Sequence, residues 1–345
     1  ILRADGTSLG ADDGIAVAIS LYLIQQKIQH GPLRLIFTVD EETNMTGALS
    51  LSADHVKDAK YVINCDSESI HVICVASAGS CHMEFTRDLH RCAPKGDTAL
   101  TVRAHALAGG HSGEVINEGR GNAIKAVADV LYRLSEGGVE YALADYKGGV
   151  AANAIPSDAS AVVVVAAKDV DRVKATVAAA EKDFNLVYGE TDPNAVFEVT
   201  PAALPKSVLS AEDTTSIVDV INLLHCGVFA MDRRLPRLPA LSASLGTIET
   251  REDVLAFQYF PRSSSDARLQ ALVRVMPIMA KCTGTKVHIE KPFPAWTESK
   301  NSKLQALMAD AYKDVMGKEP RVEAMHGGLE TGFLYAMNPD LDIVS

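Results

Sequence analysis

The apolar pattern near the start of the chain constrains the fold most. From Gly14 to about His30 the apolar residues are too dense for a surface stripe and predict a buried helix. A β-prone run follows at 33–39, then a helix at 47–56 and a second strand at 61–64. Helix and strand alternating at this spacing predict βαβ units. We therefore expect a largely parallel sheet with helices on both faces.

The middle of the chain has a different order of elements. Between about Thr98 and Leu204 the pattern predicts strand, helix, strand, strand, helix and strand, which is the ferredoxin-like order. Part of this order recurs, with a helix at 213–225, strands at 241–249 and 253–261, a helix at 265–282 and a strand at 285–291, so we expect a related second half beside the first. After Pro292 a helix and two strands, the last at 341–345, resemble the opening segment again.

The expected fold class is therefore α/β, with a sheet domain interrupted by an inserted α+β, ferredoxin-like domain. The expected domains are 1–83 for the first part of the sheet domain, 84–291 for the insertion and 292–345 for the second part. Because the sequence begins with Ile1 instead of Met and ends within a predicted strand, we expect a fragment that lacks both ends of a longer protein.

Composition narrows the classes of partner. The formal net charge is -11 and no run of Lys and Arg exceeds a pair, which argues against nucleic acid and anionic membranes. No apolar stretch approaches the roughly 20 residues of a membrane span. The six cysteines show no Cys-x-x-Cys spacing, which is typical of reduced thiols in a cytoplasmic protein. A small-molecule or peptide substrate fits this composition.

Acidic residues follow the predicted strands of the first segment. Glu41 and Glu42 come after the strand at 33–39, Asp66 follows the next strand, and Asp12 precedes a helix. In an open parallel sheet such positions meet beyond the carboxyl ends of the strands. Like charges about 4 Å apart repel by about 4 kcal/mol at an effective dielectric of 20, so converging carboxylates predict a bound cation.

A structural role for the same acids is an open alternative. Asp12 could cap a helix, Glu41 and Glu42 could be solvated loop residues, and Asp66 could form a turn. If they do bind metal, one of two adjacent glutamates can be a ligand while the other acts as a general base. Oxygen ligands alone permit magnesium, manganese or calcium, whereas zinc normally takes histidines as well.

Seven short motifs, spread from one end of the chain to the other, carry a family resemblance. They are Leu9-Gly10-Ala11-Asp12-Asp13-Gly14, Thr38-Val39-Asp40-Glu41-Glu42-Thr43, Asn64-Cys65-Asp66-Ser67-Glu68, Gly109-Gly110-His111-Ser112-Gly113, Gly119-Arg120-Gly121-Asn122-Ala123, Asn153-Ala154-Ile155-Pro156 and His326-Gly327-Gly328-Leu329-Glu330. Their order resembles that of the M20 metallopeptidases, in the aminoacyl-histidine dipeptidase branch.

The resemblance implies a zinc-peptidase-like catalytic domain with two Zn²⁺ ions per chain, for which Mn²⁺ or Co²⁺ could substitute. It implies that Asp12 bridges both metals, Glu42 binds one, Asp66 binds the other, and Glu41 is the general base. The family also has a His-x-Asp motif upstream of Asp12 and a final histidine ligand downstream of Ser345. Neither is present in this sequence.

The resemblance also assigns residues to the substrate. It implies that His111, in an inserted lid or dimerisation domain, steadies the oxyanion, which requires domain closure or a partner subunit. Arg262, in the segment Phe260-Pro261-Arg262-Ser263 and with Asn153 assisting, would bind the C-terminal carboxylate of a dipeptide. Glu330 would lie on a substrate-side loop. From the residues alone, a lone histidine in a loop, such as His111, is usually a surface residue, and Arg262 could be an ordinary surface charge.

The sequence therefore predicts a metal-dependent dipeptidase that acts on short peptides, including Xaa-His dipeptides, and a possible homodimer. One alternative is an N-acyl amino acid deacylase on the same scaffold. Another is a catalytically dead fragment or pseudoenzyme, supported by the missing histidines. Two-metal phosphoryl transfer ranks last, since the sequence lacks a phosphate-cradling glycine-rich loop.

Overall fold

The computed structural model describes residues 3–7, 9–43, 45–67, 69–233, 235 and 238–345. The chain divides into two compact units. The first comprises Ile1–Ala78 and Phe293–Ser345, and the second comprises Gly79–Pro292. The second unit is thus inserted into the first, and the chain passes between them at 78/79 and 292/293. A lid or dimerisation role for the insertion stays a prediction.

The strands are β1 Tyr61–Ile63, β2 Val72–Ser77, β3 Gly79–Ser80, β4 Met83–Asp88, β5 Arg91–Cys92, β6 Thr98–His105, β7 Gly110–His111, β8 Tyr141–Gly148, β9 Ala154–Ile155, β10 Ala159–Val165, β11 Val196–Ala202, β12 Val208–Leu209, β13 Gly227–Met231, β14 Pro239–Thr250, β15 Val254–Ser263, β16 Lys286–Ile289, β17 Arg321–Met325 and β18 Asp342–Val344. The α-helices are α1 Ala11–Gln25, α2 Thr46–Leu49, α3 Ser112–Val115, α4 Ala123–Glu136, α5 Val170–Tyr188, α6 Ala211–Leu223, α7 Asp266–Val273, α8 Met276–Thr283, α9 Lys303–Met316 and α10 Thr331–Met337.

The second unit is built on a ten-stranded antiparallel sheet, whose main path is β11-β6-β10-β8-β14-β15-β4-β16. The strands β6, β8, β10 and β11 form a ferredoxin-like half, with the helices α4 and α5 as its connections. The strands β4, β14, β15 and β16 repeat the same spatial order in reverse. The expected second half is therefore present, and it joins the first through the pairing of β8 with β14.

The first strand of this second half lies far from the rest of it in sequence. The strand β4 pairs with β15, so that Phe85 lies opposite Phe257. The whole first half, from β6 to β11, is inserted after β4. The sequence pattern did not predict β4, and the expected start of the insertion at residue 84 falls inside that strand.

The core of the second unit lies between the sheet and its helices. The rings of Phe85 and Phe257 stack with centroids 5.0 Å apart, and both side chains are fully buried. On α4 the apolar residues recur at helical spacing, so that Ile124, Val127 and Leu131 face this core. The side chain of Asn122 caps that helix by accepting a hydrogen bond from the amide of Lys125.

The first unit contains parallel strand pairs, as expected. The strand β1 pairs with β18, and β2 pairs with β17. The two pairs adjoin, because Cys74 on β2 exchanges backbone hydrogen bonds of 2.7 and 2.9 Å with Ser345. Trp296, which is 2% exposed, packs in a small core with Leu329 and Ile343.

Three expectations for the first unit were wrong. The run 33–39 forms no strand. The helix at the start of the chain exists as α1 but has no buried residue, because that run does not pair into a sheet that would cover it. The helix expected at 47–56 is reduced to α2 and a short 3-10 turn at Ala53–His55. In the second unit, the helix expected at 265–282 is divided into α7 and α8.

Within the part of the chain that the structure describes, no helix has both the length and the apolar character needed to cross a membrane.

Replacing Phe257 with alanine should destabilise the protein by about 3–5 kcal/mol, because it removes a buried ring and leaves a cavity beside Phe85. Urea unfolding followed by far-ultraviolet circular dichroism measures this loss. The matched control is Leu186→Ala, whose side chain is 78% exposed and should change stability by less than about 0.5 kcal/mol. Equal losses in the two variants would contradict the assigned core.

Candidate active site

Three aspartates come together in the first unit. Single carboxylate oxygens of Asp12, Asp13 and Asp66 all lie within 4.8 Å of one another. Asp12 and Asp13, joined by a cis peptide bond, lie in the first turn of α1, and Asp66 follows the end of β1. The structure therefore unites two of the three predicted ligands, Asp12 and Asp66, and adds Asp13.

The electrostatics of this cluster shift two carboxyl groups strongly. Burial, followed by the charges of Glu42 and Glu330, raises the pKa of Glu41 to about 7. Burial, followed by the charges of Asp13 and Glu41, raises the pKa of Asp66 to about 7. At neutral pH each of these two carboxyl groups is therefore only partly ionised.

Glu330 belongs to the same acidic group. It accepts a hydrogen bond of 2.7 Å from the hydroxyl of Thr38, and it immediately precedes α10. Burial, more than the charge of Asp13, raises its pKa against the opposing effect of Thr38. The charge of Glu42 helps to raise the pKa of Glu41, but Glu42 lies outside the close group of three aspartates. Glu68, in the third motif, lies outside the described residues.

These acids fit a divalent cation. A bound cation would favour the ionised form of each carboxyl group and remove the mutual repulsion that raises the pKa values of Glu41 and Asp66. Three close carboxylates supply the oxygen ligands that divalent metals accept. The donor set is therefore suited to a metal centre, with Asp12, Asp13 and Asp66 at its middle.

Arg262 forms the centre of a second site, in the second unit. Its side chain lies near the end of β15, is 5% exposed, and has no carboxylate partner among the described residues. Burial lowers its pKa to about 10. Its Nε donates to the hydroxyl of Ser112 at 3.4 Å, its Nη2 donates to Nε2 of His111 at 3.3 Å, and its Cζ lies 4.8 Å from the ring centroid of Phe260.

A short antiparallel pairing holds His111 near Arg262. His111 on β7 lies opposite Ala154 on β9, and the amide of Ser112 donates to the carbonyl of Asn153 at 2.8 Å. Gly110 has φ of 121°, and a Cβ there would meet Arg120 and Val115 at 2.7 Å, so only glycine fits this bend. His111, Asn153 and Arg262 therefore share one neighbourhood.

Two contacts of Arg262 were not predicted. Ser112 and Phe260 stand inside motifs that the sequence singled out, but neither was given a role. Phe260 precedes Arg262 by two residues, so both side chains leave the same face of a strand. That spacing was a usable signal for Phe260, whereas the contact with Ser112 depends on how distant segments meet. Asn153 has an exposed side chain, and its backbone carbonyl accepts the hydrogen bond from the amide of Ser112.

Metal binding to the metal-free protein should release protons near neutral pH. Because the pKa values of Glu41 and Asp66 are each raised to about 7, both groups carry protons at pH 6.5 that a metal displaces. Calorimetry of Mn²⁺ binding in two buffers of different ionisation enthalpy measures this release. We expect up to about one proton per group at pH 6.5 and almost none at pH 8.5.

The stability of the metal-free protein should change with pH as Glu41 and Asp66 titrate. A raised carboxyl pKa stabilises the folded state at low pH, and this contribution is lost as the pH rises through about 7. The rise in Tm caused by Mn²⁺ should therefore be larger at pH 8.5 than at 6.5. Asp54→Asn, which alters a carboxylate 79% exposed, should leave both results unchanged. Proton release independent of pH would argue against a metal at this cluster.

Comparison with known proteins gives the family of the chain. The chain is 30% identical over 348 aligned positions to the cytosol non-specific dipeptidase of Escherichia coli strain K12, covering 100% of this chain and 71% of that protein. It is similar to the crystal structure of the aminoacylhistidine dipeptidase from Vibrio alginolyticus, with a TM-score of 0.88 and 28% identity over 99% of this chain and 71% of that one. Residues 4–344 match the profile of peptidase family M20/M25/M40, and the chain belongs to that family.

Proposed function

We propose that this chain is a metal-dependent dipeptidase. Arg262 is the observation that carries the substrate class. It is a buried guanidinium without a carboxylate partner among the described residues, and it is held in place beside His111. Burying an unpaired charge is costly, so an anion from a ligand is its natural partner. The C-terminal carboxylate of a short peptide supplies that anion in a geometry that arginine binds with two hydrogen bonds.

The names of the two relatives support the same substrate class. One is a non-specific dipeptidase and the other an aminoacylhistidine dipeptidase. We therefore include Xaa-His dipeptides among the substrates. The name of the first relative also supports a cytoplasmic location. A homodimer, with the insertion as lid or dimerisation domain, remains part of the proposal.

The acidic cluster would hold two divalent ions, Zn²⁺ by preference, with Mn²⁺ or Co²⁺ as substitutes. Asp12 would bridge both ions, Asp66 would bind one of them and Glu42 the other. Asp13, close to Asp12 and Asp66, is a further candidate ligand. When bound, divalent ions lower the pKa of a coordinated water and polarise a carbonyl group.

The residues of the chain would then divide the proton transfers and the charge stabilisation. Glu41 accepts a proton from the attacking water and delivers it to the leaving amine, which is the role of a general base. His111 donates a hydrogen bond to the oxyanion that forms at the scissile carbonyl. Arg262, assisted by Asn153, fixes the terminal carboxylate, and Glu330 contributes from the substrate side.

N-acyl amino acid deacylation is a second candidate, because an acyl amino acid presents the same free carboxylate to Arg262. Turnover of an Xaa-His dipeptide and of the matching N-acetyl amino acid, measured on one preparation, separates the two reactions. Cleavage of the acetylated compound alone would refute the dipeptidase proposal.

Glu41→Gln should lower kcat by about 10²–10⁴-fold, because the amide cannot accept the proton of the attacking water. Steady-state hydrolysis of an Xaa-His dipeptide measures the loss, and metal analysis shows whether the centre is retained. The control is Glu319→Gln, an exposed carboxylate paired with Lys313, which should leave kcat unchanged. Unaltered kcat in Glu41→Gln with full metal content would exclude Glu41 as the base.

Arg262→Met should reduce kcat/KM for dipeptides by at least about 30-fold, since removing one partner of a buried charge pair costs about 2 kcal/mol or more. It should not reduce kcat/KM for the same peptides with an amidated C-terminus. The control is Arg103→Met, which removes an arginine of β6 that is paired with Asp158. If Arg262→Met slowed the acid and the amide equally, Arg262 would not recognise the carboxylate.

A further inference from the structure

The contact between Arg262 and His111 fixes which ring nitrogen carries the proton. A guanidinium can only donate hydrogen bonds. Its Nη2 lies 3.3 Å from Nε2 of His111, so Nε2 must accept, and the proton of the neutral ring is on Nδ1. The carboxylate of Glu114 lies 3.8 Å from Nδ1 and favours the same tautomer.

This state of the ring is the wrong one for stabilising an oxyanion. The oxyanion role requires a ring nitrogen that donates. Nδ1 is buried and cannot reach a ligand, whereas the His111 side chain as a whole is 37% exposed. The donor must therefore be Nε2, the atom that Arg262 holds as an acceptor. Without a substrate, the geometry keeps His111 out of its proposed role.

We propose that the terminal carboxylate of the substrate switches His111 from hydrogen-bond acceptor to donor by neutralising Arg262. This inference rests on the proposed function and gives the substrate carboxylate a second task besides binding. Recognition at one end of the dipeptide thereby prepares the group that acts at the peptide bond.

Arg262 has room on its guanidinium for a carboxylate before its contact with His111 changes. Its Nε donates to Ser112 and its Nη2 donates to His111, while Phe260 lies against the guanidinium. The Nη1 atom has no partner among the described residues, so the edge formed by Nη1 and Nη2 is free. A carboxylate fits that edge with two parallel hydrogen bonds.

The charges around His111 act in the required directions. Burial, followed by the charge of Arg262 on β15, lowers the pKa of His111, whereas Glu114 on α3 raises it. A carboxylate on Arg262 cancels the nearest positive charge. Nε2 can then take a proton from solvent, while Nδ1 keeps its own proton and faces Glu114. The resulting imidazolium donates from Nε2.

The experiment is a nitrogen-15 NMR titration of the metal-loaded protein labelled at its histidine rings, with His111 assigned by its loss in His111→Gln. Unlabelled L-histidine, which has a carboxylate, and L-histidinamide, which lacks one, serve as probes. We expect L-histidine to raise the titration midpoint of His111 by at least about one pH unit, in line with removal of one adjacent charge. L-histidinamide should leave the midpoint where it was.

Two variants sharpen the test. Arg262→Met should raise the midpoint without any probe and abolish the response to L-histidine. Arg120→Met is the matched control, because Arg120 donates to the carbonyl of Gly109 in the same loop but is already paired with Glu118. It should leave the midpoint unchanged. The titration of the unaltered protein decides the question even if Arg262→Met fails to fold.

The outcomes separate this proposal from the proposed function. Equal midpoints with both probes, together with hydrolysis that prefers free carboxylates, would overturn the switch and leave the dipeptidase standing. A midpoint raised by L-histidine alone, in a protein that cleaves no dipeptide, would support the coupling and refute the dipeptidase. If the switch operates, amidated dipeptides also lose kcat, by more than the matching change in KM.

Discussion

Unpaired buried charge is the constraint on which the two sites depend. The second unit contains two buried arginines that show the difference. Arg87 donates to Asp213 and Glu212, so its charge is neutralised within the fold. Arg262 is at least as buried, but its described contacts are a hydroxyl, a neutral imidazole nitrogen and an aromatic ring. A buried charge without an ionic partner costs stability, and it is retained where a ligand supplies the opposite charge.

The acidic cluster of the first unit has the opposite imbalance, because it gathers carboxylates and no cationic side chain of the described residues shifts the pKa values of Glu41 and Asp66. The pKa values of Glu41 and Asp66 are raised by burial and by their acidic neighbours, with no cationic residue among the causes. The acidic cluster of the first unit is thus suited to bind cations, whereas Arg262 in the second unit is suited to bind an anion. In the proposed function, the terminal carboxylate of a short peptide would supply the negative group that Arg262 lacks.

Rigid backbone keeps Arg262 in position while it lacks an anion. The strand β15 is paired on both sides there, with Arg262 opposite Ser242 on β14 and opposite Ser80 on β3. Sequence periodicity predicted β14 and β15, because each is long and their turn is short. It did not predict β4, although Met83 and Phe85 alternate with polar residues, because its partners β15 and β16 lie roughly 170 and 200 positions away along the chain. Local pattern identifies strands, whereas pairing over such distances depends on the completed sheet.

The same distinction applies to the sites. The sequence predicted Asp12, Asp66, His111 and Arg262 as candidate residues, because each stands in a short segment with recognisable chemistry. What the sequence could not give is the state of those groups. The accepting role of Nε2 in His111 follows from an arginine that is 151 positions away in the chain and 3.3 Å away in the fold. Residue identity can therefore be predicted from a motif, but the protonation that decides whether His111 donates depends on a neighbour that only the folded sheet supplies.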